Sequence, residues 1–294
     1  MSFKNVPIPA AAEAAGFTNL VFADDFDSYD TIDFSGEGKE GYNWYTDRPY
    51  GMTTLTKDDM QIKDSVLFMQ PEICPSAIGM TTFSTKGKTG FVMKYGYAEA
   101  RIRADEPVGE YDGVPAFWAI GLRDMLKTDV IGWKDCGELD ILEIERCVDP
   151  ESGKTRNYYT GTLHHWRRSG ELRENGAPVQ TCATNLVNAL GYNERRWLDG
   201  EWHTYAALWE PGHVSWYLDG KLMHSARYTP DALPEYYYGE EQTHLPRHEE
   251  AHPEAAHRTW VGGHSVMDGE EEVVILGCNK NWPMEVDWVR VWAK

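Results

Sequence analysis

The sequence predicts an all-β sandwich or barrel, and three observations carry that expectation. Short runs in which apolar and polar residues alternate recur along the chain, bounded by Gly, Pro and Asp turn signals. Asp219-Gly220 joins two such runs as a tight hairpin signal. Strand and turn signals far outnumber helical ones. The chain has 294 residues, no internal repeat and no linker. Sandwiches and barrels extend to about 250 residues or more as single domains, so residues 1–294 read as one domain.

Taken in order, residues 1–19 form an N-terminal extension. Its start, "MSFKNVPIPAAAEAAGF", lacks the basic region and apolar core of an export signal. "YGYAEARIRA" (95–104) alternates, with Tyr95, Tyr97, Glu99, Arg101 and Arg103 on one side. "GELDILEIE" (137–145) places Glu138 and Asp140 on one face and Leu139 and Ile141 on the other. Strict alternation would send Glu143 into the core, and one extra residue, a β-bulge, returns it to the acidic face. "HTYAALWEPGHVSWYLDGKLMHSA" (203–226) reads as two or three strands turned at Pro211-Gly212 and Asp219-Gly220. Residues 229–259, rich in His, Glu and Pro, read as a loop insertion, at most partly helical. Four of its His residues (His244, His248, His252, His257) raise metal binding, but Pro253 interrupts any helical face, and a surface loop is the better reading. "MEVDWVRVWAK" closes the chain as another alternating strand.

The composition excludes several classes. With 28 basic against 47 acidic residues the net charge is −19, the wrong sign for a protein that reads a nucleic-acid backbone. It also disfavours a strongly sulfated polymer. No run of 18 apolar residues crosses a membrane. The five cysteines include no CxxC and do not form a disulfide framework. Twelve Trp and sixteen Tyr exceed what an ordinary core needs. Aromatic rings beyond the core can line a groove and stack on the flat faces of sugar rings.

The carboxylates of 138–143 give that groove a chemistry. Cleaving a glycosidic bond with retention needs two carboxyl groups about 5–5.5 Å apart. Glu138 and Glu143 sit i, i+5, shortened by one bulge to the reach of i, i+4, with Cα atoms roughly 13 Å apart. Two long Glu side chains leaning inward close much of that gap. Asp140, between them, is too short to attack the sugar. It can bias which neighbour is ionised.

These residues carry a resemblance. "ELDILE" (138–143) resembles the bulged ExDxxE signature of glycoside hydrolase family 16, as in its laminarinase-like branch. "VFADDFD" (21–27), "YGYAEARIR" (95–103), "PAFWAIG" (115–121), "GTLHHW" (161–166), "WHTYAALWEPGHVSWYLDGK" (202–221) and "VDWVRVW" (286–292) are similar to that family, in the right order. The resemblance spans roughly residues 20–294.

The resemblance implies a jelly-roll sandwich of two antiparallel sheets with a concave substrate cleft. It implies Glu138 as nucleophile, Asp140 as its helper and Glu143 as acid/base, with Trp118, Trp133 and His164 at the sugar. No cofactor serves catalysis, and Asp287 matches a ligand of a structural calcium ion. The expected activity is retaining endo-hydrolysis of β-1,3 or mixed β-1,3/1,4 glucans by a monomer, with no nucleic-acid or membrane partner. The substrate class implies an extracellular setting; the start of the chain fits a cytoplasmic one. Hydrolysis of agar- or porphyran-type galactans is the alternative, with Arg48, Arg167 and Arg168 as candidate sulfate contacts. A β-glucan-binding sandwich without turnover is a third reading, disfavoured because both Glu residues are present. Val114-Pro115, residues 77–80 and Lys134 depart from the family pattern, which leaves the substrate more open than the chemistry.

Overall fold

The structure is a computed structural model and describes residues 5–46, 55–69, 78–104, 114–126, 136–148, 152–172, 178–188, 198–230, 248–252, 257–278 and 282–294. Two large sheets face each other. In the first, the order is His248–His252, His257–Ser265, Lys221–Pro230, His213–Leu218, His203–Glu210, Gly96–Ala104, Met284–Ala293, Val66–Met69 and Met60–Lys63, with Asn19–Asp24 also on Met284–Ala293. In the second it is Pro178–Asn188, Thr155–Leu172, Cys136–Val148, Ala116–Gly121, Glu272–Cys278, Ile78–Thr81, Trp44–Tyr45 and Ile32–Asp33.

Alternation explains why these residues make these strands. In Gly96–Ala104, Ala98, Ala100, Ile102 and Ala104 enter the main core, while Arg101 and Arg103 stay on the outer face. Their guanidinium groups lie over the Trp202 ring, 4.9 and 5.1 Å from its centroid. The core between the sheets is closed by Trp44, Trp209, Trp216 and Trp282, each without solvent exposure. Burying such rings removes the largest apolar surfaces from water, at about 25 cal/mol per Å².

Three departures from the sequence reading have physical causes. The N-terminal extension folds in part: helix Ala10–Ala15 and Phe17 pack with Tyr97, Leu208, Tyr217 and Trp292 in a second, smaller cluster on the outer face. Residues 229–259, expected as a loop, contain strand His248–His252 and the start of His257–Ser265. His257–Ser265 pairs in parallel with Lys221–Pro230, as Ile32–Asp33 does with Trp44–Tyr45, so the sheets are not wholly antiparallel. A parallel neighbour demands a crossover of a dozen or more residues, which accounts for the intervening segment.

Candidate active site

The strand Cys136–Val148 lies inside the second sheet, between Ala116–Gly121 and Thr155–Leu172. Its register carries the expected bulge. Asp140 faces Thr162 and Glu143 faces Thr160, so Ile141 and Leu142 together oppose Gly161. The other neighbour shows the same slip, with Trp118 opposite Asp140 and Phe117 opposite Leu142. Leu139, Ile141, Leu142 and Ile144 all enter the core. Burying two consecutive apolar residues is what turns Glu143 back to the face that carries Glu138 and Asp140.

The opposite sheet supports this irregularity. Trp216 donates its indole N–H to the Asp140 carbonyl at 2.8 Å, giving a partner to a main-chain group beside the bulge. Gly161 makes room for that ring: a Cβ there would stand 2.3 Å from Trp216 Cδ1. His224 stacks on the indole, with centroids 4.6 Å apart and planes at 18°.

On the open face, His164 sits opposite Glu138 in the pairing. Its Nε2 is 2.9 Å from Asp140 Oδ2 and 3.9 Å from Glu138 Oε1. The shorter contact is at ion-pair distance but lacks hydrogen-bond alignment, and Oδ2 is buried without a hydrogen-bond partner. Glu138, Asp140 and His164 each offer one donor atom within 4.8 Å of the others, so they could hold a metal ion. Trp118 is half-buried and packs against the small cluster of Ile120, Met125 and Val273 on the same face.

Five expected site residues thus share one face of three adjacent strands: Glu138, Asp140, Glu143, His164 and Trp118. Trp133, Lys134 and Arg48 lie outside the described residues, as does His244. Arg167 and Arg168 lie on Thr155–Leu172, where their side chains are not described. Asp287 belongs to the other sheet, where its Oδ2 accepts from Arg101 Nη1 at 2.6 Å. Calcium gathers 6–8 oxygen ligands, and a guanidinium on this carboxylate competes with that role. The arrangement is that of an ion pair and does not support the calcium ligand implied by the resemblance.

Sequence reasoning missed a second group of acids next to the site. Glu270 and Glu272 are buried, and Gly121 faces Glu272 across the sheet. Burial pushes the Glu270 carboxyl up to about 7, against the Arg123 N–H that favours its charge. Burial, then the charges of Glu270 and Glu138, raise Glu272 well above the usual carboxylate range. In sequence, "EEE" at 270–272 looks like solvated surface. The hydrophobic run "VVILGC" directly after it is the signal that the segment enters a sheet.

Comparison with known proteins agrees with the geometry. Residues 49–245 match the family described as Glycosyl hydrolases family 16. Over 143 residues the chain is 27% identical to glucan endo-1,3-beta-glucosidase A1 of Niallia circulans, a stretch covering 48% of this chain and 17% of that protein. Among solved structures, the laminarinase from Rhodothermus marinus aligns with a TM-score of 0.50 at 16% identity, covering 94% of this chain and 97% of that one. The endo-beta-1,3-glucanase from Pyrococcus furiosus aligns at 0.48 and 18%, covering 93% and 94%. At 16% identity the likeness to the Rhodothermus marinus structure concerns the fold alone. The family match extends over two thirds of the sequence and includes the bulged strand: the chain belongs to glycosyl hydrolases family 16.

Proposed function

We propose that the chain is a retaining, endo-acting hydrolase of β-1,3 or mixed β-1,3/1,4 glucans. The observation that carries this reading is the bulge between Asp140 and Glu143, which sets three carboxylates on one face of a strand. The names of the relatives point to the same polymer class. Glu138 attacks the anomeric carbon while Glu143 protonates the departing oxygen. Glu143 then takes a proton from the water that releases the glycosyl-enzyme. Asp140, held between Glu138 and His164, keeps the nucleophile's surroundings polar and its orientation fixed. Trp118, Trp133 and His164 contact the sugar. The chain works as a monomer on a polymer outside the cell. Among the described residues no helix is long and apolar enough to cross a membrane.

The test is release of reducing ends from laminarin, lichenan, barley β-glucan, agarose, porphyran and κ-carrageenan. Cleavage of laminarin or the mixed-linkage glucans is expected. Proton NMR in the first minutes should show the β-anomer at the new reducing end. Cleavage confined to the galactans would overturn the substrate, and early α-anomer would overturn the roles of both Glu residues.

A further inference from the structure

The pair His164–Asp140 has a geometry that a proton does not satisfy. Nε2 and Oδ2 are 2.9 Å apart, yet the ring N–H axis is not aligned on that oxygen. Asp140 is 5% exposed, so water does not readily take the place of a partner. A carboxylate oxygen buried without a hydrogen-bond partner is costly to keep. A cation makes a different demand: it needs no single N–H axis, but donor atoms arranged around one point. Three atoms meet that demand, one each from Glu138, Asp140 and His164, all within 4.8 Å of one another.

The donor set selects the kind of ion. Tetrahedral zinc holds nitrogen and oxygen ligands at about 2.0–2.2 Å, which spaces neighbouring donors about 3.4 Å apart. The separations of 2.9 and 3.9 Å from Nε2 lie on either side of that value. An imidazole donor favours zinc-like ions over magnesium or calcium, which take oxygen. Two carboxylates and a neutral imidazole match the charge of a divalent ion and leave a fourth position to water. Side-chain exposures of 14–15% at His164 and Glu138 leave an entry path from the open face.

We propose that the catalytic centre doubles as a binding site for a zinc-class divalent cation, held by Glu138, Asp140 and His164, and that this ion and the sugar exclude one another. Binding follows from the donors alone. The exclusion rests on Glu138 being the nucleophile, because a carboxylate bound to the ion cannot attack the anomeric carbon.

The test is calorimetric titration of the full chain, stripped with chelator, with zinc chloride and separately with magnesium and calcium chloride. One zinc per chain is expected at this site, with magnesium and calcium at least 100-fold weaker. His164→Gln and Glu138→Gln, each checked for a parental unfolding temperature, should weaken zinc at least tenfold. His203→Gln is the control, because His203 also lies between two acids, 3.0 Å from Asp199 and 2.6 Å from Asp219. Laminari-oligosaccharide should lower the apparent zinc affinity, and zinc should inhibit hydrolysis competitively. Zinc binding unchanged by both site variants, or lost in the control, would overturn the site. Binding that oligosaccharide does not weaken would overturn the exclusion. If zinc binds through His164 but no polymer is cleaved, the site stands and the glucanase reading falls.

Discussion

Gly161 decides how closely the two sheets meet behind the proposed catalytic residues. Its missing side chain is the space filled by the Trp216 indole, whose N–H holds the Asp140 carbonyl. Gly161→Ala forces that ring away, and overpacking of this kind costs about 1–3 kcal/mol. The expected result is a lower unfolding temperature together with a lower kcat, because Asp140 loses its support; an unchanged kcat would mean the ring is not needed for the chemistry. Glu138→Ala has the opposite profile. It should keep the fold and oligosaccharide binding while turnover drops by at least about a thousandfold, as removal of a nucleophile does. Azide should recover part of the rate by entering the space left by the carboxylate, and near-parental turnover would remove Glu138 from its role.

At the scale of elements, the bulged strand shows what can be read from sequence and what cannot. Because one face of Cys136–Val148 is buried, each apolar residue must point inward, and the pair Ile141-Leu142 betrays the extra residue directly. The strand Gly96–Ala104 is legible for the same reason. The edge Lys221–Pro230 with His257–Ser265 is not, since parallel pairing is a long-range choice that leaves no local pattern. Nor does local pattern tell that a six-residue helix at the N-terminus covers the outer face. The acids at 270–272 mislead because burial is decided by the neighbouring strands, Ala116–Gly121 among them. Deleting Leu142 tests the bulge itself. The strand then faces Gly161 with one residue instead of two, so the ladder becomes regular and Glu143 stays on the acidic face. A cooperative thermal transition at reduced temperature and a changed preference between laminarin and lichenan are expected. Failure to fold would show that core packing, and not the groove, requires the extra residue.

For the whole molecule, the buried acids set how stability follows pH. Glu99 and Glu270 are each pushed up to about 7, mainly by burial, and Glu272 is raised well above the usual range by burial and then by nearby acids. The groups around them are largely of one sign: Asp219 acts on Glu99, and Asp124, Asp268 and Glu138 act on the other two, with Arg123 opposing beside Glu270. A carboxyl whose folded pKa exceeds its unfolded one contributes stability that is complete below about 4.5 and is lost as pH rises through about 7. A shift of this size corresponds to something on the order of 3 kcal/mol for Glu99 or Glu270. His203 adds in the same direction: burial pulls it down, but Asp219 and Asp199 outweigh this and raise it, so its contribution also fades on the alkaline side. Asp199 works oppositely. The Glu201 N–H first, then His203, hold it low against burial, so its support is present above about 3.8 and lost in stronger acid. Stability should therefore peak in mildly acid solution. Between pH 5.5 and 8 the unfolding temperature is expected to fall by about 5 °C or more, since a protein of this size moves about 2–4 °C per kcal/mol. Glu99→Gln combined with Glu272→Gln should raise the value at pH 8 and leave it nearly unchanged at pH 4, where the parental carboxyls are protonated in both states, because amides do not ionise. A parental protein whose unfolding temperature is flat over that interval would show that these carboxyls are not held against ionisation by burial.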